Sequence, residues 1–288
     1  MKFSYFKYHA LGNDYLVVDP NKTQFPLEPE CIRLLCHRNF GVGSDGILYG
    51  PIFEDGLPGV RIFNPDGGEA EKSGNGARIF ARYLLDQGYV ANRPFRLRTA
   101  GGEVAVAFLD DGGGRIAVDM GTVTFHSPAI PVAGAARQVI DEAITLAGET
   151  YRMTCLSIGN PHCVIPLAAI SRDLAERLGP QVERHALFPN RINLQLLQVL
   201  DANNIRIEIW ERGAGYTLAS GSSSCAAACA AHQLGLIENQ VTVHMPGGTI
   251  EIAIGNDGHV LMTGAVTGVA QGELLPDLAA ALQRGTAS

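Results

Sequence analysis

The chain has 288 residues, 46% of them hydrophobic and 18% charged, with a formal net charge of −7. That length suits two domains of about 100–150 residues, and that composition supports a sizeable core and argues against disorder. Without a Lys/Arg block, neither nucleic acid nor an anionic membrane is the expected partner.

The opening stretch, "MKFSYFKYHALGNDYLVVD", is polar within its first ten residues and carries no apolar core or cleavage signature. No run approaches the roughly 18 apolar residues of a spanning helix. The expectation is a cytoplasmic protein.

In chain order, "VRIFN" reads as a strand that runs into a glycine-rich turn, and a helix follows over 74–85 with Gly88 as its stop. "RIAVDM" alternates as a strand with one buried face. "IRIEIWE" then repeats the strand-to-turn pattern, a second helix follows over 221–234 with Gly235 as its stop, and "IEIAIG" alternates again. "DLAAALQRGTAS" lies last, either packed on the first half or hanging free.

These elements form an internal repeat. Gly12-Asn13 and Gly159-Asn160 stand 147 residues apart, as do Ser73 of "SGNGAR" and Ser220 of "SGSSSC", and Asn64 of "RIFN" and Glu211 of "IEIWE". The double glycines at 101–102 and 247–248 and the "VDMG"/"LMTG" ends at Gly121 and Gly264 keep the same order with a small drift. The expected organisation is α+β, with two pseudo-symmetric domains at 1–121 and 122–265 and a tail at 266–288. Each domain is a barrel-like sheet curled around a central helix.

Two related halves that face one cleft place two helix N-termini at a ligand, each with outward N–H groups and a positive dipole end. Such a pair suits a carboxylate. Ser73 and Ser220 are equally suited to ordinary capping. Six cysteines and eight histidines are present without C-x-x-C or H-E-x-x-H spacing, so no metal site is expected, and Cys225 and Cys229 read as buried apolar residues on one helix face.

The motifs "HALGNDYLVVD", "GVGSDG", "FNPDGGEAEKSGNGAR", "GNPHCV", "RIN" and "ERGAGYTLASGSSSCAA" resemble the successive motifs of diaminopimelate epimerase, from residue 3 to about Gly264. The resemblance implies an isomerase that uses neither pyridoxal phosphate nor metal. Its small-molecule substrate is an amino acid, and a homodimer is implied. In that family two cysteines open the helices in "CGNGAR" and "CGTGACAA" and act on opposite faces of the α-carbon. Here Ser73 and Ser220 stand in their places. Asn13 matches the asparagine of "GLGNDF". Asn64, Asn160, Asn193, Glu211 and Arg212 match residues that hold the distal end of the substrate, and Gly74, Asn75, Gly221 and Ser222 match the cradle of its reacting carboxylate. For Arg212 the chemistry agrees, because a guanidinium suits bidentate capture of a carboxylate.

A helix dipole contributes about 0.3–1 kcal/mol, and about 2 kcal/mol when partly buried, which lowers a pKa by at most about 1.5 units. A serine hydroxyl starts several units above a thiol, so each serine needs an acceptor beside it. The candidates are His162, Lys72, Glu69, Glu71 and Glu211. Three classes stay open: an isomerase with an altered proton-transfer pair, a binding protein on the same scaffold, and a serine hydrolase, for which neither G-x-S-x-G nor a triad order is present.

Overall fold

The alternating runs become strands, and the polar breaks between them become turns. The computed structural model describes residues 3–285. It divides into two compact units, one running to Val118 and resuming at Gly264, the other spanning Asp119–Thr263. The sequence division at 121/122 and 265/266 differs from this by a few residues, because the boundary falls inside two strands.

In the first unit β1 (Ser4–Ala10) and β2 (Asn13–Val18) form an antiparallel hairpin. Leu11 and Gly12 connect them at φ of 55° and 82°, the geometry of a two-residue hairpin turn, in which glycine carries no steric cost. α1 (Pro29–Cys36) crosses from β2 to the parallel β3 (Ile47–Glu54). Then come β4 (Leu57–Phe63), the short β5 (Glu69–Ala70) and α2 (Gly74–Asp86). α2 crosses from β4 to the parallel β6 (Phe95–Thr99), which continues antiparallel into β7 (Gly102–Phe108) and β8 (Arg115–Thr122).

The second unit repeats this order. β9 (Glu142–Leu146), β10 (Glu149–Ser157) and β11 (Pro161–Pro166) lead to α3 (Arg172–Glu183). β12 (Asn193–Asp201), β13 (Asn204–Glu211) and β14 (Gly215–Thr217) lead to α4 (Gly221–Gln233). β15 (Gln240–Met245), β16 (Gly248–Ile254) and β17 (His259–Ala265) close it. The register repeats as well. Leu16 pairs with Ile47, and 147 positions on Cys163 pairs with Leu194; Ile62 pairs with Ala70, and Ile209 with Thr217. The chain then re-enters the first unit, where β18 (Thr267–Glu273) lies antiparallel to β1 and α5 (Pro276–Gly285) packs on α1.

Each unit is organised by one enclosed helix. α2 buries Ile79, Phe80, Ala81, Tyr83 and Leu84, on all sides of the helix. α4 buries every residue from Ser223 to Ala231, and it touches β10, β11, β12, β13, β15 and β16 of its own unit. A helix buried all round is one that a sheet has curled about, and the alanines of α4 let those strands approach closely. The helices end alike. Tyr89 N–H donates to the Leu84 carbonyl around Gly88 at φ 72°, and Leu236 N–H donates to the Ala231 carbonyl around Gly235 at φ 68°. The amphipathic α3 covers a second core of Ile165, Leu178, Val182, Leu194 and Leu196. There Gly179 is required by space, since a Cβ would lie 2.3 Å from the Trp210 ring. All six cysteines are buried and free. Among the described residues no helix is long and apolar enough to cross a membrane.

Candidate active site

Both serines are helix N-caps. Ser73 is extended at φ −140° and its Oγ accepts from Gly76 N–H at 3.0 Å; Ser220 is extended at φ −149° and its Oγ accepts from Ser223 N–H at 3.4 Å. Gly74 and Gly221 are the buried first residues of the two helices. The N–H groups of 74, 75, 221 and 222 belong to first turns and have no partner within the helix.

In the first unit Asn75 Nδ2 donates to Asn13 Oδ1 at 3.1 Å, and Arg78 donates to Asn75 Oδ1 at 2.6 Å. Asn13 Nδ2 donates in turn to Asp45 Oδ2 at 3.0 Å, and Arg38 holds Asp45 and Asp14 at 2.6 and 2.8 Å. Burial alone raises the Asp14 carboxyl, but Arg38 and Lys7 outweigh it and bring the net shift below the ordinary value. A charged network under β1 and β2 therefore fixes Asn13 and Asn75. The hydroxyls of Tyr15 and Ser73 meet at 3.4 Å. Asn64 sits in the turn after β4, with its N–H on the Gly68 carbonyl and its carbonyl accepting from Gly67 N–H, and it is exposed. Glu69, a candidate base in the sequence, is tied instead to Arg61 at 2.7 Å.

In the second unit the Ser220 side chain interacts with the Glu211 carboxyl. Loss of hydration pushes the Glu211 carboxyl above its ordinary value, and the serine bond offsets only part of that. Asn160 Nδ2 reaches Ser222 Oγ at 3.4 Å, and Asn160 Oδ1 lies 2.9 Å from His162 Nε2. Gln195 lies 3.3 Å from His162 Nδ1 and donates to Ser223 Oγ at 3.0 Å. Asn193 is occupied by backbone, donating to the Pro161 carbonyl and accepting from Arg212 N–H, each at 2.8 Å. It thereby fixes the start of the Arg212 turn, while the exposed Arg212 guanidinium donates to the Asn190 carbonyl at 3.1 Å.

His162, read from the sequence as a catalytic base, takes a different place. It is fully buried, and burial pushes its pKa down to about 3. A neutral ring carries one N–H, so it donates to only one of the two amide oxygens beside it. Such an imidazole is a weak proton acceptor and a good strut between β11, β12 and the first turn of α4. Sequence reasoning missed Tyr15, Gln195 and Ser223. Gln195 carried one signal, a polar residue set among Leu194, Leu196 and Leu197 of β12. A concavity of about 560 Å³ around Asp119, Gln240, Asp257 and His259 includes neither Ser220 nor Glu211.

A family model for diaminopimelate epimerase matches residues 5–126 and 154–269. The chain belongs to the diaminopimelate epimerase family. It is 56% identical to diaminopimelate epimerase 2 of Nostoc sp. (strain PCC 7120) over 96% of this chain and 97% of that one. It is 40% identical to the diaminopimelate epimerase of Moorella thermoacetica over 93% of this chain and 98% of that one. In fold it resembles a probable proline racemase from Agrobacterium radiobacter (TM-score 0.70, 14% identity, covering 96% and 93% of the two chains). A hydroxyproline epimerase from Agrobacterium vitis is similarly close (TM-score 0.67, 13% identity, 95% and 91%). This chain presents hydroxyls, Ser73 and Ser220, at its two helix starts.

Proposed function

We propose that this family member is a cofactor-independent amino-acid epimerase that moves the α-proton through serine hydroxyls rather than thiols. What supports this reading is the placing of Ser220 at a helix start beside Glu211, a carboxyl whose loss of hydration makes it a stronger base than a solvated glutamate. A free alkoxide is out of reach at neutral pH, because a helix end supplies only about 1.5 pKa units at most. A shuttle avoids it. Ser220 Oγ takes the α-proton as its own proton passes to the Glu211 carboxylate, and no net charge accumulates on serine. The carbanion left behind is delocalised into the substrate carboxylate, beside the first-turn N–H groups of a helix. Ser73 returns a proton to the opposite face, and after product release exchange with water takes the proton from Glu211 and restores the one lost on the Ser73 side.

The substrate is an α-amino acid, diaminopimelate being the first to test because full-length relatives carry that name. The second reading, a binding protein without turnover, is favoured by the use of both serine oxygens as helix caps. Incubation with LL- and meso-diaminopimelate, proline and hydroxyproline in D2O, read by NMR, separates them. α-Deuterium with inversion is the expected result. Saturable binding of an amino acid without exchange overturns the epimerase reading.

A further inference from the structure

Where Ser220 interacts with the Glu211 carboxyl, the Ser73 hydroxyl meets a phenol, that of Tyr15. We propose that Tyr15 is the proton reservoir for Ser73, a positioning residue that delivers through the serine hydroxyl. This rests on the epimerase reading above.

Two observations carry it. The Tyr15 hydroxyl lies 3.4 Å from Ser73 Oγ, and Tyr15 is only 6% exposed, with Ser73 half-buried beside it. The ring is also held from behind. A Cβ at Gly46 would come within 2.7 Å of Tyr15 Cε1, so the glycine that follows Asp45 makes the room in which the ring lies. β2 sets the strand position of Tyr15, and the parallel neighbour β3 begins at the residue after Gly46. The same loop anchors Asn13 through Asp45, so the placement of Tyr15 and that of the Asn13–Asn75 pair have one structural source.

The chemistry follows from what each hydroxyl can hold. A serine oxygen has two lone pairs and one hydrogen. One lone pair of Ser73 Oγ already takes Gly76 N–H. With the other facing the Tyr15 O–H, the serine hydrogen is free for the substrate. As Ser73 gives that hydrogen to the α-carbanion, charge begins to form on Oγ, and the tyrosine proton moves across to it. The carbanion becomes C–H, serine is restored, and the proton deficit sits on the tyrosine oxygen, which recovers a proton when the site reopens to water. The effective donor is then a phenol with an ordinary pKa near 10 rather than an aliphatic alcohol several units higher. At 3.4 Å the resting contact is longer than an ordinary O–H···O bond of about 2.7–2.8 Å, and developing charge on Oγ is what shortens it.

The test is Tyr15→Phe, which removes the hydroxyl and keeps the ring, with inversion and α-proton exchange measured together in D2O. Exchange at the Ser220 face needs only Glu211 and Ser220, so it should stay within about twofold of wild type, while inversion falls at least tenfold and amino-acid affinity, read by calorimetry, is unchanged. Inversion and exchange that fall in proportion, or an unaltered inversion rate, overturn the relay and leave the epimerase reading standing. If wild type neither exchanges nor inverts any of the four amino acids, that reading fails and the relay falls with it. A measurement free of turnover accompanies these. The ¹³Cζ resonance of Tyr15 in tyrosine-labelled protein should move in Ser73→Ala, and a resonance blind to that change overturns the contact itself.

Discussion

On the proposed epimerase reading, one atom type at Ser73 and Ser220 sets the rate. Oxygen and sulfur are close in size, so Ser73→Cys with Ser220→Cys should disturb packing little and bring the acidity of both groups near neutrality. The double variant should gain at least about tenfold in inversion of LL-diaminopimelate under reducing conditions, a barrier drop of about 1.4 kcal/mol. Each single variant should gain much less, because one thiol serves one face. Absence of any gain in a folded, substrate-binding double variant would mean that specificity, not acidity, separates this chain from its relatives. Glu211 gives a second residue-scale expectation. Its raised pKa means that the acceptor is lost as pH falls through a value above the usual glutamate range, so the acid limb of the rate profile should lie correspondingly high. Glu211→Gln should remove that limb and lower exchange from the Ser220 face at least a hundredfold, measured by deuterium uptake.

At the scale of elements, the join between β11, β12 and α4 is the informative one, since His162 bridges Asn160 and Gln195 there without any contact with bulk water. A histidine held near pKa 3 when folded and about 6.5 when unfolded binds fewer protons in the folded state between those values. Its contribution to stability is therefore fully present above the unfolded pKa and is lost as pH falls toward the folded one. Urea titrations should show His162 contributing a slope of about 1.4 kcal/mol per pH unit between about pH 6 and 4. In His162→Gln that component should vanish; an identical slope in wild type and variant would contradict the buried neutral imidazole. The pairing of helix and strand at this join was half legible beforehand. "GNPH" and "RIN" marked functional positions by resemblance, but that Asn193 spends its amide on the Pro161 carbonyl and Arg212 N–H depended on two strands meeting in parallel.

For the whole molecule, the two units differ in how the chain closes them. The second is continuous, whereas the first is completed by its last helix, α5, whose Leu282 is fully buried and whose Leu282 carbonyl accepts from Cys31 Sγ at 3.2 Å. Leu282→Ala should destabilise the first unit by about 2–5 kcal/mol, seen as a lower urea midpoint for tyrosine fluorescence, while the single tryptophan, Trp210 in the second unit, reports little change. The sequence by itself determined the repeat, the two enclosed helices, their serine caps and glycine stops, and the family. Each of these is written in local spacing, in which period, capping and turn chemistry are visible residue by residue. Only the tertiary structure decided which acceptor each serine meets. Glu69 and Glu211 are both acidic residues, yet one is paired with Arg61 on a neighbouring strand and the other is stripped of water beside Ser220. Burial likewise leaves the His162 imidazole a much weaker proton acceptor than a solvated one. Acidity depends on hydration and on partners far away in the chain, and strand pairing across tens of residues sets both.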